Sequence, residues 1–181
     1  MSAIGAVEIQ SIPKGILAGD AMLKTAEVRL IYAGTVCAGK YVVVVSGEVA
    51  AVKAGVENGI AVGETFLIDS LVIPNVNEQV LRAASACGDV GEVDAVGVME
   101  LFSVCSCIAA ADAAAKAARV TLIELRLGRG LGGKSFLIMT GDVAAVQAAI
   151  DAARKSPLVS GMVSDCVCIP APHQDLIASL M

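Results

Sequence analysis

The sequence repeats itself. Shifted by 92 residues, Ala3–Ile31 lies over Ala95–Ile123 with 13 of 29 positions identical, among them Gly5/Gly97, Glu8/Glu100, Ser11/Ser103, Asp20/Asp112 and Lys24/Lys116. At a shift of 94, GKYVVVVSGEVAAV (Gly39–Val52) matches GKSFLIMTGDVAAV (Gly133–Val146) at 7 of 14 positions. A weaker match at a shift of 96 sets Asp69, Ile73 and Pro74 over Asp165, Ile169 and Pro170. Self-similarity of this kind means one structural unit used twice. We therefore expect two copies of one domain, 1–91 and 92–181. The shift grows between the matched blocks, so length changes fall there. One lies just before Gly39/Gly133 and marks a loop where the copies differ, the second loop being longer by two residues.

Each copy reads as strand, helix, strand, strand, helix, strand. IGAVEI has the apolar character of a buried strand. Pro13–Ala26 reads as a helix, with Pro in the allowed first turn after Ser11. Asp20–Lys24 and Asp112–Lys116 are i,i+4 pairs in the favourable orientation. VRLIYAG and KYVVVVSG flank a Gly-containing loop as a hairpin would. GEVAAVKAGVENG gives a second helix, and TFLIDSLVIP a final strand before Pro74. The βαββαβ order is the split-βαβ, ferredoxin-like arrangement, an α+β fold with an antiparallel sheet and helices on one face.

Composition removes several classes. At 56% hydrophobic and 17% charged over 181 residues, the chain is too apolar for intrinsic disorder. No uncharged apolar run reaches about 18 residues, because Glu100 interrupts the stretch Ala95–Ala111, so no membrane span is expected. MSAIGAVEIQ lacks the basic segment of a signal peptide, which points to a cytoplasmic protein. A net charge of -5 and 3% aromatic residues leave no basic, aromatic-rich surface for nucleic acid. The six cysteines (Cys37, Cys87, Cys105, Cys107, Cys166 and Cys168) are then expected as reduced thiols. There is no CxxC pair, and the lone His173 cannot build a histidine metal site.

EVAAVKAG and DVAAVQAA after a Gly, the DAMLK helix, the Gly-rich hairpin loop and the IPAPH tail together resemble bacterial microcompartment shell proteins. The resemblance covers nearly the whole chain, twice over, as in the family's tandem-domain members. It implies a pseudohexameric homotrimer that tiles with other shell proteins around encapsulated enzymes, and no catalytic activity. It also implies a central pore lined by the loop between the second and third strands of each copy: Thr35, Val36, Cys37, Ala38 and Gly39 in the first, Arg129, Gly130, Leu131, Gly132 and Gly133 in the second. Lys24 and Lys116 match the family's edge lysines, which implies lateral packing. Asn75 and Ala171 stand where the family's tail motif often has Arg between prolines.

TVCAGK (Thr35–Lys40) resembles the pore loop of family members that carry a [4Fe-4S] cluster. One thiolate cannot hold a cubane, which takes three or four cysteines. A homotrimer with Cys37 near its axis would supply three, leaving the fourth iron to a non-protein ligand. Encapsulated redox enzymes would then be partners for electron transfer across the shell. Two alternatives keep Cys37 out of redox chemistry: a plain metabolite pore with Cys37 as a small residue at the constriction, and a trimeric ferredoxin-like regulator binding ligands between subunits. Cys105, Cys107, Cys166 and Cys168 read as small buried hydrophobes, and Cys87 lies in the connecting segment with no partner suggested. GRGLGGK lacks the GxxxxGK[ST] spacing of a phosphate loop and joins two strands. Glu8 and Glu100, repeated in both copies, read as structural.

Overall fold

The computed structural model describes residues 3–84, 91 and 93–180. The first copy runs β1 (Ala3–Ile9), α1 (Ile12–Thr25), β2 (Arg29–Val36), β3 (Lys40–Gly47), α2 (Val49–Gly63), a 3-10 turn (Glu64–Phe66), β4 (Leu67–Ile73) and α3 (Glu78–Ala84). The second runs β5 (Ala95–Leu101), α4 (Val104–Ala117), β6 (Thr121–Arg126), β7 (Ser135–Gly141), α5 (Val143–Lys155), β8 (Val163–Ile169) and α6 (Gln174–Leu180). Each copy therefore has the expected βαββαβ order plus a closing helix, α3 or α6, that the sequence pattern did not reveal. These helices are only two turns long, too short for an apolar periodicity to stand out.

Both sheets are antiparallel, in the orders β2-β3-β1-β4 and β6-β7-β5-β8. The first strand of each copy is thus central, hydrogen-bonded on both sides. That position explains why Ala3–Ile9 is buried along its whole length. The hairpins diverge at their tips. β2 and β3 stay paired to Val36↔Lys40, leaving only Cys37, Ala38 and Gly39 to turn, whereas β6 and β7 part at Arg126↔Phe136. The second connection therefore spans 127–134, well beyond the two-residue excess expected.

The chain forms two compact units. One comprises Met1–Val76, Ser103–Ser106 and Gly128–Lys134; the other comprises Asn77–Phe102, Cys107–Leu127 and Ser135–Met181. In the first, Val7 and Ile9 of β1, Val43 and Val45 of β3, Ala18 and Met22 of α1, and Val52 and Val56 of α2 form the core. Ser11 caps α1, its hydroxyl accepting from the Lys14 N–H. In the second, α5 starts at an Asp142 cap and buries Val146, Ala149, Ile150 and Ala153.

Small residues let these layers approach closely. A Cβ on Gly5 would come within 2.6 Å of Val52 Cγ1 and Val56 Cγ2, where helix α2 crosses the central strand. Neither valine can yield, because both are in the buried core. Gly5→Ala should destabilise the fold by roughly 1–3 kcal/mol through overpacking, read as a lowered melting temperature. An unchanged melting temperature would contradict this packing.

Candidate pore-loop site

The short β2–β3 turn holds Cys37 half-buried, with Gly39 at φ +73° completing the reversal. Only glycine adopts that conformation without strain. The Gly128–Lys134 segment lies in the same compact unit and meets this turn at several points. The Cys37 N–H donates to the Gly128 carbonyl at 3.0 Å. The Gly130 N–H points back at the Cys37 sulfur, 3.2 Å away. Arg129 donates to the Tyr32 hydroxyl at 3.1 Å, with its guanidinium 5.5 Å from the ring centroid.

Beneath the turn sits a buried ion pair. Lys40 Nζ donates to Glu8 Oε1 at 2.8 Å and to the Gly133 carbonyl at 3.0 Å. The other carboxylate oxygen, Glu8 Oε2, accepts the Val104 N–H at 2.7 Å. Glu8 is wholly buried and Lys40 nearly so. One carboxylate thus satisfies a strand-borne lysine and the first turn of α4, where exposed N–H groups favour negative charge. Beside it, Ser103 Oγ donates to Asp69 and caps α4 by accepting from the Ser106 N–H at 2.9 Å. Cys105 is enclosed in this setting. Burial first, and then the Asp69 and Glu8 carboxylates, push its thiol pKa well above the usual value, with Lys40 opposing them. It stays a neutral thiol at physiological pH.

Thr35, Ala38, Gly39, Arg129, Gly130 and Gly132 are exposed, Leu131 is half-buried, and Val36 and Gly133 are buried. The structure brings Cys37, Gly128, Gly130 and Gly133 together as described. Lys24 and Lys116 pair with Asp20 and Asp112 at 2.7 and 2.6 Å, and both remain accessible. Cys105 and Cys107 are buried; Cys166 and Cys168, both on β8, are half-buried. Cys87 lies outside the described residues. Asn75 and Ala171 both take positive φ, 59° and 47°, in the turns that follow β4 and β8. The Glu8–Lys40–Gly133 linkage was not anticipated. Its signal was present: both charges recur in the second copy, as Glu100 and Lys134, within otherwise apolar strand sequence.

Among the described residues, no group of three or more His, Cys, Asp or Glu side chains could hold a metal. A cubane fits here only as a site shared between chains, each contributing Cys37. The local geometry suits that part: the Cys37 sulfur is only half-buried, on a three-residue turn, with a backbone N–H aimed at it.

Comparison with known proteins identifies the class. The BMC-domain family model matches residues 3–76 and 95–172, so this chain belongs to the BMC-domain family, carrying two such domains in tandem. The bacterial microcompartment shell protein PduT of Citrobacter freundii is 41% identical over 174 residues, spanning 96% of this chain and 95% of that protein. The carboxysome assembly protein CcmO of Synechococcus elongatus is 28% identical, over 98% of this chain and 68% of its own. A crystal structure of a microcompartment protein from Desulfitobacterium hafniense superposes with a TM-score of 0.88 at 46% identity, covering 98% and 99% of the two chains. The chain is a structural component of a microcompartment shell, not an enzyme. No described helix is long and apolar enough to cross a membrane.

Glu8→Ala would leave Lys40 buried without its counter-charge and strip the Val104 N–H of its acceptor. We expect a loss of about 3–5 kcal/mol, measured by chemical denaturation, with faster labelling of Cys105 by a thiol reagent in the native state. A loss below 1 kcal/mol would show that the pair does not hold this region together.

Proposed function

We propose that three copies of this chain form a pseudohexameric ring whose Cys37 thiolates converge on the axis and hold one [4Fe-4S] cluster. The ring tiles with other shell proteins, Lys24 and Lys116 lying at the lateral contacts. The domains 1–91 and 92–181 alternate around the pore. When bound, the cluster supplies a one-electron carrier within the shell wall. Encapsulated redox enzymes are its partners on the lumen side.

The observation that carries this reading is the sulfur of Cys37 on a three-residue turn with the Gly130 N–H directed at it. The residues around it have distinct parts. Gly130 donates a backbone hydrogen bond to the Cys37 sulfur and so orients it. Gly39 allows the tight turn that carries the sulfur. Lys40 ties the turn to Gly133 and Glu8, fixing the height of Cys37 against the Gly128–Lys134 segment. Exposed Arg129 adds positive charge beside the site, which offsets the negative charge of a thiolate-ligated cluster. The small side chains of Ala38 and Gly39 leave room at the axis.

Anaerobically purified protein should be brown and contain about four irons with matching acid-labile sulfide per trimer. Cys37→Ser should lose nearly all of both while keeping the wild-type oligomeric mass. Full iron content in Cys37→Ser overturns the ligand assignment. An iron-free wild-type trimer overturns the cluster and leaves a metabolite pore.

A further inference from the structure

The Gly128–Lys134 segment is pinned to the Cys37 hairpin near both of its ends. At its start, the Gly128 carbonyl accepts the Cys37 N–H. Gly128 also packs closely there, since a Cβ on it would stand 3.1 Å from Val36 Cβ and 3.3 Å from Val104 Cγ2. Near its end, the Gly133 carbonyl accepts from Lys40. The stretch between them includes Gly130 at φ +75° and Gly132 at φ +59°, and a Cβ on either would meet open space. A glycine-rich stretch without packing has little of its own to fix its backbone. Yet this one carries the Gly130 N–H directed at the Cys37 sulfur.

A side chain supplies the missing restraint. Arg129, immediately before Gly130, reaches across to Tyr32 on β2, donating to its hydroxyl at 3.1 Å with the guanidinium 5.5 Å from the ring centroid. The strand is shaped for this contact. Tyr32 and Gly34 are two residues apart on β2 and share a face. A Cβ on Gly34 would stand 2.8 Å from the Tyr32 Oη and 3.1 Å from its Cζ, so the ring lies over Gly34 in space that any side chain there would take. The second copy is built differently at this point. Glu124 stands where Tyr32 does and accepts from Arg126 at 2.6 Å on its own strand.

We infer that Tyr32 is a positioning residue for the Cys37 centre. By clamping Arg129 it holds the Gly130 N–H on the Cys37 sulfur and a guanidinium charge beside it, and so raises the reduction potential of a cluster ligated there. Reduction adds negative charge, so hydrogen bonds to the sulfur and nearby positive charge stabilise the reduced form more than the oxidised one. Releasing the clamp withdraws both, and the potential falls. The clamp needs no iron; its effect on the potential rests on the cluster proposed above.

Three substitutions test this: Tyr32→Leu removes ring and hydroxyl, Tyr32→Phe the hydroxyl alone, and Arg129→Gln the charge. In metal-free protein, hydrogen–deuterium exchange read by mass spectrometry should be about tenfold faster across 128–134 in Tyr32→Leu, as loss of a charge-assisted hydrogen bond and its stacking implies. Tyr32→Phe should exchange at an intermediate rate, and the β1 peptide should match wild type in both. In iron-loaded protein, a redox titration followed by EPR should give a lower midpoint potential for Tyr32→Leu and a smaller fall for Tyr32→Phe. Adding Tyr32→Leu to Arg129→Gln should lower it no further, because the two residues act through one contact. Wild-type exchange in Tyr32→Leu, an unshifted potential in its iron-loaded form, or additive shifts in the double variant overturns the inference. A wild type without iron whose segment still loosens in Tyr32→Leu overturns the cluster and keeps the clamp.

Discussion

A single buried carboxylate organises the region around the β2–β3 turn. Glu8 lies near the end of the central strand β1 with no access to water, where an isolated charge would be prohibitive. It is tolerated because both oxygens are used, one by the Lys40 ammonium and one by the Val104 N–H. Lys40 in turn reaches the Gly133 carbonyl. The strand, the hairpin turn, the start of α4 and the Gly128–Lys134 segment are thereby fixed to one anion. Such a pair adds little net stability over a well-packed apolar pair. What it adds is position: an apolar substitute could not dictate where the turn bearing Cys37 stands.

The site is unequal by construction. Hairpin pairing in the first copy continues to Val36↔Lys40 and leaves a turn too short for anything but three small residues. In the second copy pairing stops earlier, and a glycine-rich segment with four positive-φ glycines follows. One hairpin presents a sulfur on a stiff support, and the other supplies backbone donors and acceptors that meet it. A duplicated domain with identical loops could not divide these tasks.

Much of the fold was legible because the repeat doubled every signal. The strand–helix–strand order, the Ser11 start of α1 and the Asp20–Lys24 and Asp112–Lys116 pairs all follow from local patterns. The closing helices did not, since EQVLRAA and QDLIASL are too short to display a period of their own. The site was half legible. Cys37 stood out as a reactive residue type in a loop where the copies differ. Its support did not, because Glu8, Lys40, Val104 and Gly133 are far apart in sequence and only the fold brings them together. The repeated Glu and Lys were a clue to structure, not to which loop they would anchor.

In the proposed assembly, Cys37 sulfurs from symmetry-related chains share one inorganic centre. Crystals of the anaerobic assembly, measured at the iron absorption edge, test this most directly. One compact anomalous peak is expected on the threefold axis, in bonding contact with three Cys37 sulfurs. Cys37 side chains turned away from the axis, or iron bound elsewhere, would contradict it.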